Sequence, residues 1–271
     1  MNINDIHMNV AGGSDARRNA ITEMLRSRDF ITVEELAERF AVATQTIRRD
    51  LGALCDSGIA RRRHGGIERM RLDKNLSFGD RRVLNRDAKQ SIAAAVAARV
   101  RDGESVALGI GTTPQCVAEA LLAHKRLKIV TNNLPLALIV GQNSDFSLSI
   151  AGGAVRGGDL DVCSPAFFTT YKVDVAIFGV AGVDPDGSLL DFSEDEVRVR
   201  EAMLRHCRRS YLVLDSSKFT RAAHVHGGRI EEVTAVFCEA EPPAGIRRIL
   251  DQAKVEFVRC PVAPPHAVGP G

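Results

Sequence analysis

The sequence predicts an α/β protein in two parts. A small domain of short helices and a basic hairpin occupies residues 16–70, and a larger doubly wound domain, with a mostly parallel sheet covered on both faces, occupies residues 86–260. Three observations predict this. Between residues 17 and 56, apolar side chains recur at helical spacing in short runs. From residue 86 onward, short runs rich in Val, Ile and Ala alternate with amphipathic helical segments, as expected of strands buried on both faces. Glycines and small polar residues gather directly after those strands.

The chain has 271 residues, 45% hydrophobic and 26% charged, enough to bury one large core or two unequal ones. A net charge of +2 is too small to argue for nucleic acid by itself, so any such argument rests on local clusters. The six cysteines, Cys55, Cys116, Cys163, Cys207, Cys238 and Cys260, lack the close pairing of a zinc site and read as buried free thiols of a reducing compartment. No metal or cofactor is expected. The first residues lack the apolar core of a signal peptide and no apolar run approaches the ~20 residues of a membrane span, so a cytoplasmic protein without a membrane partner is expected. Residues 1–15 and the proline-rich 261–271 are expected to be disordered, and the charged segment 71–85 to be a linker.

In the small domain, residues 17–28 form a first amphipathic helix with Ile21, Met24 and Leu25 inward. Thr32 caps a second helix ending near Phe40, and Glu35 stands where a capping box needs it. After the turn Ala41-Val42-Ala43, Thr44 caps a third helix that turns Ile47, Leu51 and Leu54 inward and Gln45, Thr46, Arg48 and Arg49 outward. That is a helix-turn-helix. Short hydrogen-bonding side chains at the start of its second helix, with arginines beside them, suit insertion into a DNA major groove. The run Ile59 to Gly66 adds a strand, the charged tip Arg61-Arg62-Arg63-His64 and a glycine turn, the makings of a wing that reaches phosphates or the minor groove. The bland alternative is a solvated helical surface, which explains a basic helix but not the ordered set of cap, turn, helix and wing.

In the larger domain, helices are predicted at 88–101, 114–123, 134–140, 165–171 and 194–207. Strands are predicted at 105–110, 127–130, 146–151, 175–180, 211–214, 235–238 and 255–258. Ligands of such sheets bind beyond the carboxyl ends of the strands. Gly109-Ile110-Gly111-Thr112-Thr113-Pro114 follows the first strand and opens a helix, where glycines, hydroxyls and a helix N-terminus suit a phosphate. Asn132 follows the second strand, Gly153 and Arg156 the third, Asp184 the fourth and Lys218 the fifth. Together they offer an acid, an amide and cations around one crevice fit for a small polyol phosphate. Each also has a structural reading, as turn former, cap or solvated loop residue.

Taken together, TQTIRRDL, RRHGG, GIGTTP, IVTNNL, AGGAVR and LDSSKF closely resemble the DeoR family of bacterial transcription factors over residues 17–260. The run GVAGVDPDGSLLDFSEDEVRVREAM and the ending FVRC resemble those members that answer to glycerol 3-phosphate. The resemblance implies a repressor that binds double-stranded operator DNA as a homodimer or homotetramer and is released by a phosphorylated sugar or polyol. It also implies an effector domain related to sugar-phosphate isomerases, with Gly111, Thr112, Thr113 and Lys218 on the phosphate and Asn132 and Asp184 nearby. Where isomerases carry a lysine and glycines, this chain reads Leu190-Asp191-Phe192-Ser193-Glu194, so isomerase chemistry is not expected. An isomerase or deaminase fused to a DNA-binding head would draw its base from Asp184, Asp186, Glu194, Glu196 or Glu201 and its acid from His206 or His224. Other sugar phosphates, and activation in place of repression, are further alternatives.

Overall fold

The computed structural model describes residues 14–28, 30–56, 60–69, 81 and 84–262. The chain divides into two compact units, residues 1–71 and 72–271. Most of the predicted disordered ends and of the predicted linker lies outside the described residues. Where the linker is described it belongs to the larger unit: Arg81 pairs with Asp159, and Asn85 Nδ2 donates to Asp215 Oδ1 at 2.9 Å. Ser14 and Asp15, expected to be disordered, already lie in the first helix.

The small unit runs α1 (Ser14–Ser27), β1 (Phe30–Thr32), α2 (Val33–Phe40), α3 (Thr44–Asp56), β2 (Ala60–Arg63) and β3 (Gly66–Arg69), with sheet order β1-β3-β2. Its core is the predicted one: Ile21, Leu25, Leu36, Ile47, Leu51 and Leu54 are buried, joined by Ile31, Ala60 and Ile67 from the sheet. Thr32 accepts from the Glu35 N–H at 3.1 Å, while the Glu35 carboxylate turns to Arg28. Ala41 takes the left-handed conformation that ends α2. Thr44 is the first residue of α3 and not its cap, because the N–H groups of Thr46 and Ile47 donate to the Ala43 carbonyl.

The larger unit begins with α4 (Arg86–Ala97) and carries seven strands in one wholly parallel sheet: β4 (Ser105–Leu108), β5 (Lys128–Thr131), β6 (Ser147–Ile150), β9 (Val173–Phe178), β12 (Cys207–Val213), β14 (Ala235–Cys238) and β15 (Glu256–Arg259). Their order across the sheet is β15-β14-β12-β9-β4-β5-β6, and every neighbouring pair is parallel. The strand order reverses between β4 and β9, so the chain leaves those two strands in opposite directions and opens a crevice at their carboxyl ends. Helices α5 (Thr112–Leu121), α6 (Leu134–Val140), α7 (Pro165–Thr169), α8 (Glu194–Arg205) and α9 (Ala244–Ala253) complete the layers. Ile92, Val96, Val117 and Leu121 pack on one face of the sheet, and Val199, Ala202 and Met203 on the other.

Several features depart from the predicted pattern, the unpredicted helix α9 among them. A short hairpin, β7 (Val155–Arg156) and β8 (Asp161–Val162), follows β6. A second antiparallel sheet forms from β10 (Gly182–Val183), β11 (Ser188–Asp191) and β13 (Val225–Arg229). Gly182 is required there, since a Cβ at that position would lie 2.1 Å from the Arg221 carbonyl oxygen. The helix predicted to run to Cys207 stops at Arg205, and Cys207 opens β12. The cysteines are free, as expected, but only Cys238 and Cys260 are fully buried.

Candidate functional site

The outer face of α3 and the hairpin of β2 and β3 gather one set of predicted residues. Thr44, Gln45, Arg48 and Arg49 are exposed at the start of α3, with Thr46 half-buried beside them. Arg61, Arg62, Arg63 and His64 are exposed along the hairpin. A concavity lined by Glu34, Arg48, Arg62 and Arg63 joins the two elements. The hairpin is fixed to the start of α2 by the Val33 N–H, which donates to the Gly65 carbonyl at 3.0 Å.

Strand alternation splits the three arginines. Arg61 and Arg63 both pair with Glu68 on the facing strand, the second at 3.2 Å, and the hydrogen bond from Arg61 holds that carboxyl below its ordinary range. Arg62 points the other way and lies over Gly52 of α3, where a Cβ would come within 3.2 Å of its Nη2. Asp50, within the basic stretch of α3, does not face outward. It is buried and takes an ion pair from Arg17 of α1 at 2.6 Å, so it orients the helix.

The second site lies in the crevice between β4 and β9. A cleft of about 540 Å³, measured to its open mouth, is lined by Gly111, Thr112 and Thr113, by Gly179 after β9, and by Lys218 and Arg221. Gly111 precedes α5 with φ 125°, a conformation open to glycine. Helix α5 starts two residues earlier than the pattern suggests, at Thr112, so both threonines sit in its first turn with N–H groups that have no intrahelical acceptor.

Lys218 belongs to a 3-10 turn, Ser216–Thr220, capped by Asp215, whose carboxylate accepts from the Ser217 N–H at 3.2 Å. Burial, with Arg221, Lys89 and Arg81 nearby, outweighs Asp215 and pushes the ammonium down to about 8. Lys89 is buried, donating to the carbonyls of Leu84 (2.6 Å) and Arg81, and burial lowers it as well. Asp215 is buried, yet Lys218, Ser217, Lys89 and Asn85 together hold it below its ordinary value. Arg221 is buried with its guanidinium 5.0 Å from the Phe192 ring centroid. Cations crowded this closely in a dry pocket favour an anion among them.

An adjoining chamber, open in part to solvent, is lined by Asn132, Asp161, Asp191, Glu196 and Arg200. The crevice thus brings together Gly111, Thr112, Thr113, Lys218 and, at the inner end, Asn132. Arg156 does not line it but stands behind it, donating to Asp161 (2.8 Å), Ser193 Oγ (3.0 Å) and Glu196 (3.3 Å). Gly153 is exposed in the loop before β7, and Asp184 is exposed in the β10–β11 turn, where its backbone bonds Ser188 and Gly187. Neither lines the crevice, and Asp184 serves as a turn former.

Of the alternative acid and base candidates, Glu194 and Glu201 pair with Arg198 and Arg205 along α8, and the Asp186 carboxylate accepts from the Ser188 N–H. His206 is bonded to the Ala202 carbonyl at 2.8 Å. Only Glu196 faces the crevice. Arg81, Asp191, Phe192 and Arg221 line it without having been singled out as ligand-binding. The sequence held a signal for two of them: Asp191 and Phe192 fall in the stretch that departs from the isomerases.

The chain matches the family models for a DeoR-like helix-turn-helix domain over residues 17–71 and a DeoR C-terminal sensor domain over residues 84–240. It is 38% identical to the glycerol-3-phosphate regulon repressor of Escherichia coli, over 90% of this chain and 98% of that one. It is 34% identical to the HTH-type transcriptional repressor CsqR of Escherichia coli, over 89% and 94%. The L-fucose operon activator of Escherichia coli is 28% identical over 83% and 94%. Ribose 5-phosphate isomerase from Methanocaldococcus jannaschii aligns over 50% of this chain and 55% of its own at 18% identity with a TM-score of 0.38, a partial likeness that says nothing of activity. A helix-turn-helix unit and a sensor unit, each matched by its own model, place this chain in the DeoR family of transcription regulators.

Proposed function

We propose that this regulator is a repressor that holds its operator when the crevice is empty and releases it when a phosphorylated sugar or polyol, glycerol 3-phosphate first among them, fills it. The observation that carries the reading is the convergence of the α5 N-terminus, the hydroxyls of Thr112 and Thr113, the half-buried Lys218 and the buried Arg221 on one cleft at the switch point of the sheet. The likeness to the glycerol-3-phosphate regulon repressor supports the choice of ligand and of sign. The α3 face and the hairpin bind DNA, Thr44, Gln45 and Thr46 meeting bases and the arginines gripping phosphates or guanines. Two such heads in a homodimer or homotetramer read paired half-sites in the cytoplasm.

Release is a population shift. Moving an operator from nearly full to nearly empty requires the ligand to prefer the low-affinity form by about 5.5 kcal/mol summed over its sites. The test is fluorescence anisotropy of purified protein on DNA from upstream of its own gene, titrated with glycerol 3-phosphate and then with other sugar phosphates. Release by glycerol 3-phosphate supports the full reading. Release by a different phosphate alone keeps the regulator and discards the ligand, and tighter binding with ligand reverses the sign, as activation would need.

Glu196 gives a second, catalytic reading its one observation. Burial and the neighbouring Asp191 charge raise its carboxyl to about 7, suitable for a general base. Turnover of ribose 5-phosphate or a related ester by the purified protein would favour that reading.

A further inference from the structure

The chamber adjoins the cleft and shares Asp191 and Glu196 with it, so acids and cations face one crevice from different sides. At the mouth, Lys218 and Arg221 stand over the Gly111 turn and the start of α5. Further in, three carboxylates, Asp161, Asp191 and Glu196, share two guanidinium groups, those of Arg156 and Arg200. Within this hydrogen-bonded set one negative charge is left over when all three are ionised.

Two buried polar atoms in that chamber have no hydrogen-bond partner among the described residues. Asn132 is 1% exposed; its Nδ2 donates to the Val162 carbonyl at 2.9 Å, which fixes the amide orientation and leaves Oδ1 as an acceptor with nothing to accept. Arg200 is 4% exposed, its two terminal nitrogens engaged by Asp191 and Gly227, while its Nε is unpartnered. Buried polar atoms left unsatisfied cost free energy, and such atoms in a chamber mark where a ligand atom completes the set.

We infer that this chamber reads the hydroxyl end of the effector and rejects a second anion, with Asn132 and Glu196 as its specificity-determining residues. The inference rests on the crevice being the phosphate-effector site. A phosphate monoester enters with its dianion on Lys218 and the α5 N-terminus, and its hydroxyls donate to Asn132 Oδ1 and the Glu196 carboxylate. A ligand of the same length whose far end is a carboxylate or second phosphate brings like charge against the acids and offers no hydroxyl donor at that end. The substrate class is therefore a polyol or sugar monophosphate, with bisphosphates and phosphoglycerates excluded.

Glu196 also makes the rejection depend on pH. Burial, then Asp191 of β11, then Asp159 and Asp161 of the β7–β8 hairpin raise its carboxyl to about 7 against the opposing charge of Arg156, so it is neutral below that and charged above. Protonated, it no longer repels an anion.

The test is direct binding of matched pairs to the full-length protein by titration calorimetry at pH 8 and pH 6. Glycerol 3-phosphate is set against 3-phosphoglycerate, and fructose 1-phosphate against fructose 1,6-bisphosphate. Each pair shares the phosphate, so effects on Lys218 cancel in the ratio. At pH 8 the partner with the anionic tail is expected to bind about 100-fold more weakly, as for like charges brought together in a dry site. The ratio is expected to fall by about tenfold at pH 6 and in Glu196→Gln. Both members of each pair binding within about threefold at pH 8, or a ratio unmoved by both pH and Glu196→Gln, overturns the inference while leaving the phosphate site standing. No binding of any of the four, nor of inorganic phosphate, overturns the crevice assignment and this inference with it.

Discussion

Arg17 of α1 and Asp50 of α3 meet with Nε 2.6 Å from Oδ2, the two side chains only 14% and 4% exposed. The acidic residue at the end of the TIRRD stretch is thus a fastening between the first helix and the second helix of the helix-turn-helix. It sets the angle at which Arg48 and Arg49 are presented.

Replacing Asp50 with alanine strands the Arg17 guanidinium in a poorly solvated place. Breaking one side of a buried pair costs about 3 kcal/mol. The helix-turn-helix unit is expected to melt earlier, with operator affinity falling although Asp50 itself touches no DNA. Circular dichroism melts with parallel anisotropy titrations check this, and an unshifted melt would contradict the fastening role.

Arg48→Ala and Arg49→Ala are expected to separate phosphate grip from base reading. Losing a phosphate contact lowers the slope of log affinity against log salt by about 0.9, uniformly across sequences. Losing a guanine contact costs about 1–3 kcal/mol at one base position and leaves the slope nearly alone. Two variants with wild-type affinity and slope would show that α3 does not dock by this face.

Lys218→Met is expected to abolish the response to effector while operator affinity in its absence is retained, because the lysine lies in the sensor unit. In the wild type, Lys218 has an ammonium lowered to about 8 by burial and by Arg221, Lys89 and Arg81. It is therefore charged at pH 7 and loses its proton as pH rises through 8. A phosphate must then recapture that proton to bind. The effector concentration for half-release should rise above pH 8, by up to about tenfold per pH unit. A flat profile between pH 7 and 9 would exclude Lys218 from the phosphate.

Gly111→Ala tests the turn before α5. At φ 125° a side chain is strained, and a Cβ would stand 3.3 Å from the Pro114 ring. Strain of this kind costs about 1–3 kcal/mol, and here it displaces the N–H groups aimed at the ligand. Weaker effector binding with an unchanged DNA affinity is expected, and calorimetry beside anisotropy measures both.

The parallel sheet was legible because buried strands such as Val175–Phe178 and Ala235–Cys238 are unbroken apolar runs between helices. The β10, β11 and β13 sheet was not. Its strands Gly182–Val183 and Val225–Arg229 carry glycines and no alternation, and tertiary pairing alone makes them strands. Helix α9 was passed over although Ile246, Ile249 and Leu250 stand at helical spacing; the prolines ahead of it resemble loop. In the crevice, residues directly after long strands could be read from position. Arg81 and Arg221 could not, since each reaches the cleft from a segment whose path the sheet topology does not set. Asp184 looked like a strand-end acid because it closely follows the predicted strand 175–180, whereas the chain enters β10 and turns outward first.

The most direct test of the central claim is one paired titration: wild-type and Lys218→Met protein bound to the same upstream DNA, each given increasing glycerol 3-phosphate while anisotropy is followed. Release of wild type, with the variant staying bound at every concentration, is the predicted result. Equal release of both would place the effector outside the crevice, and retention of both would mean that glycerol 3-phosphate is not the signal.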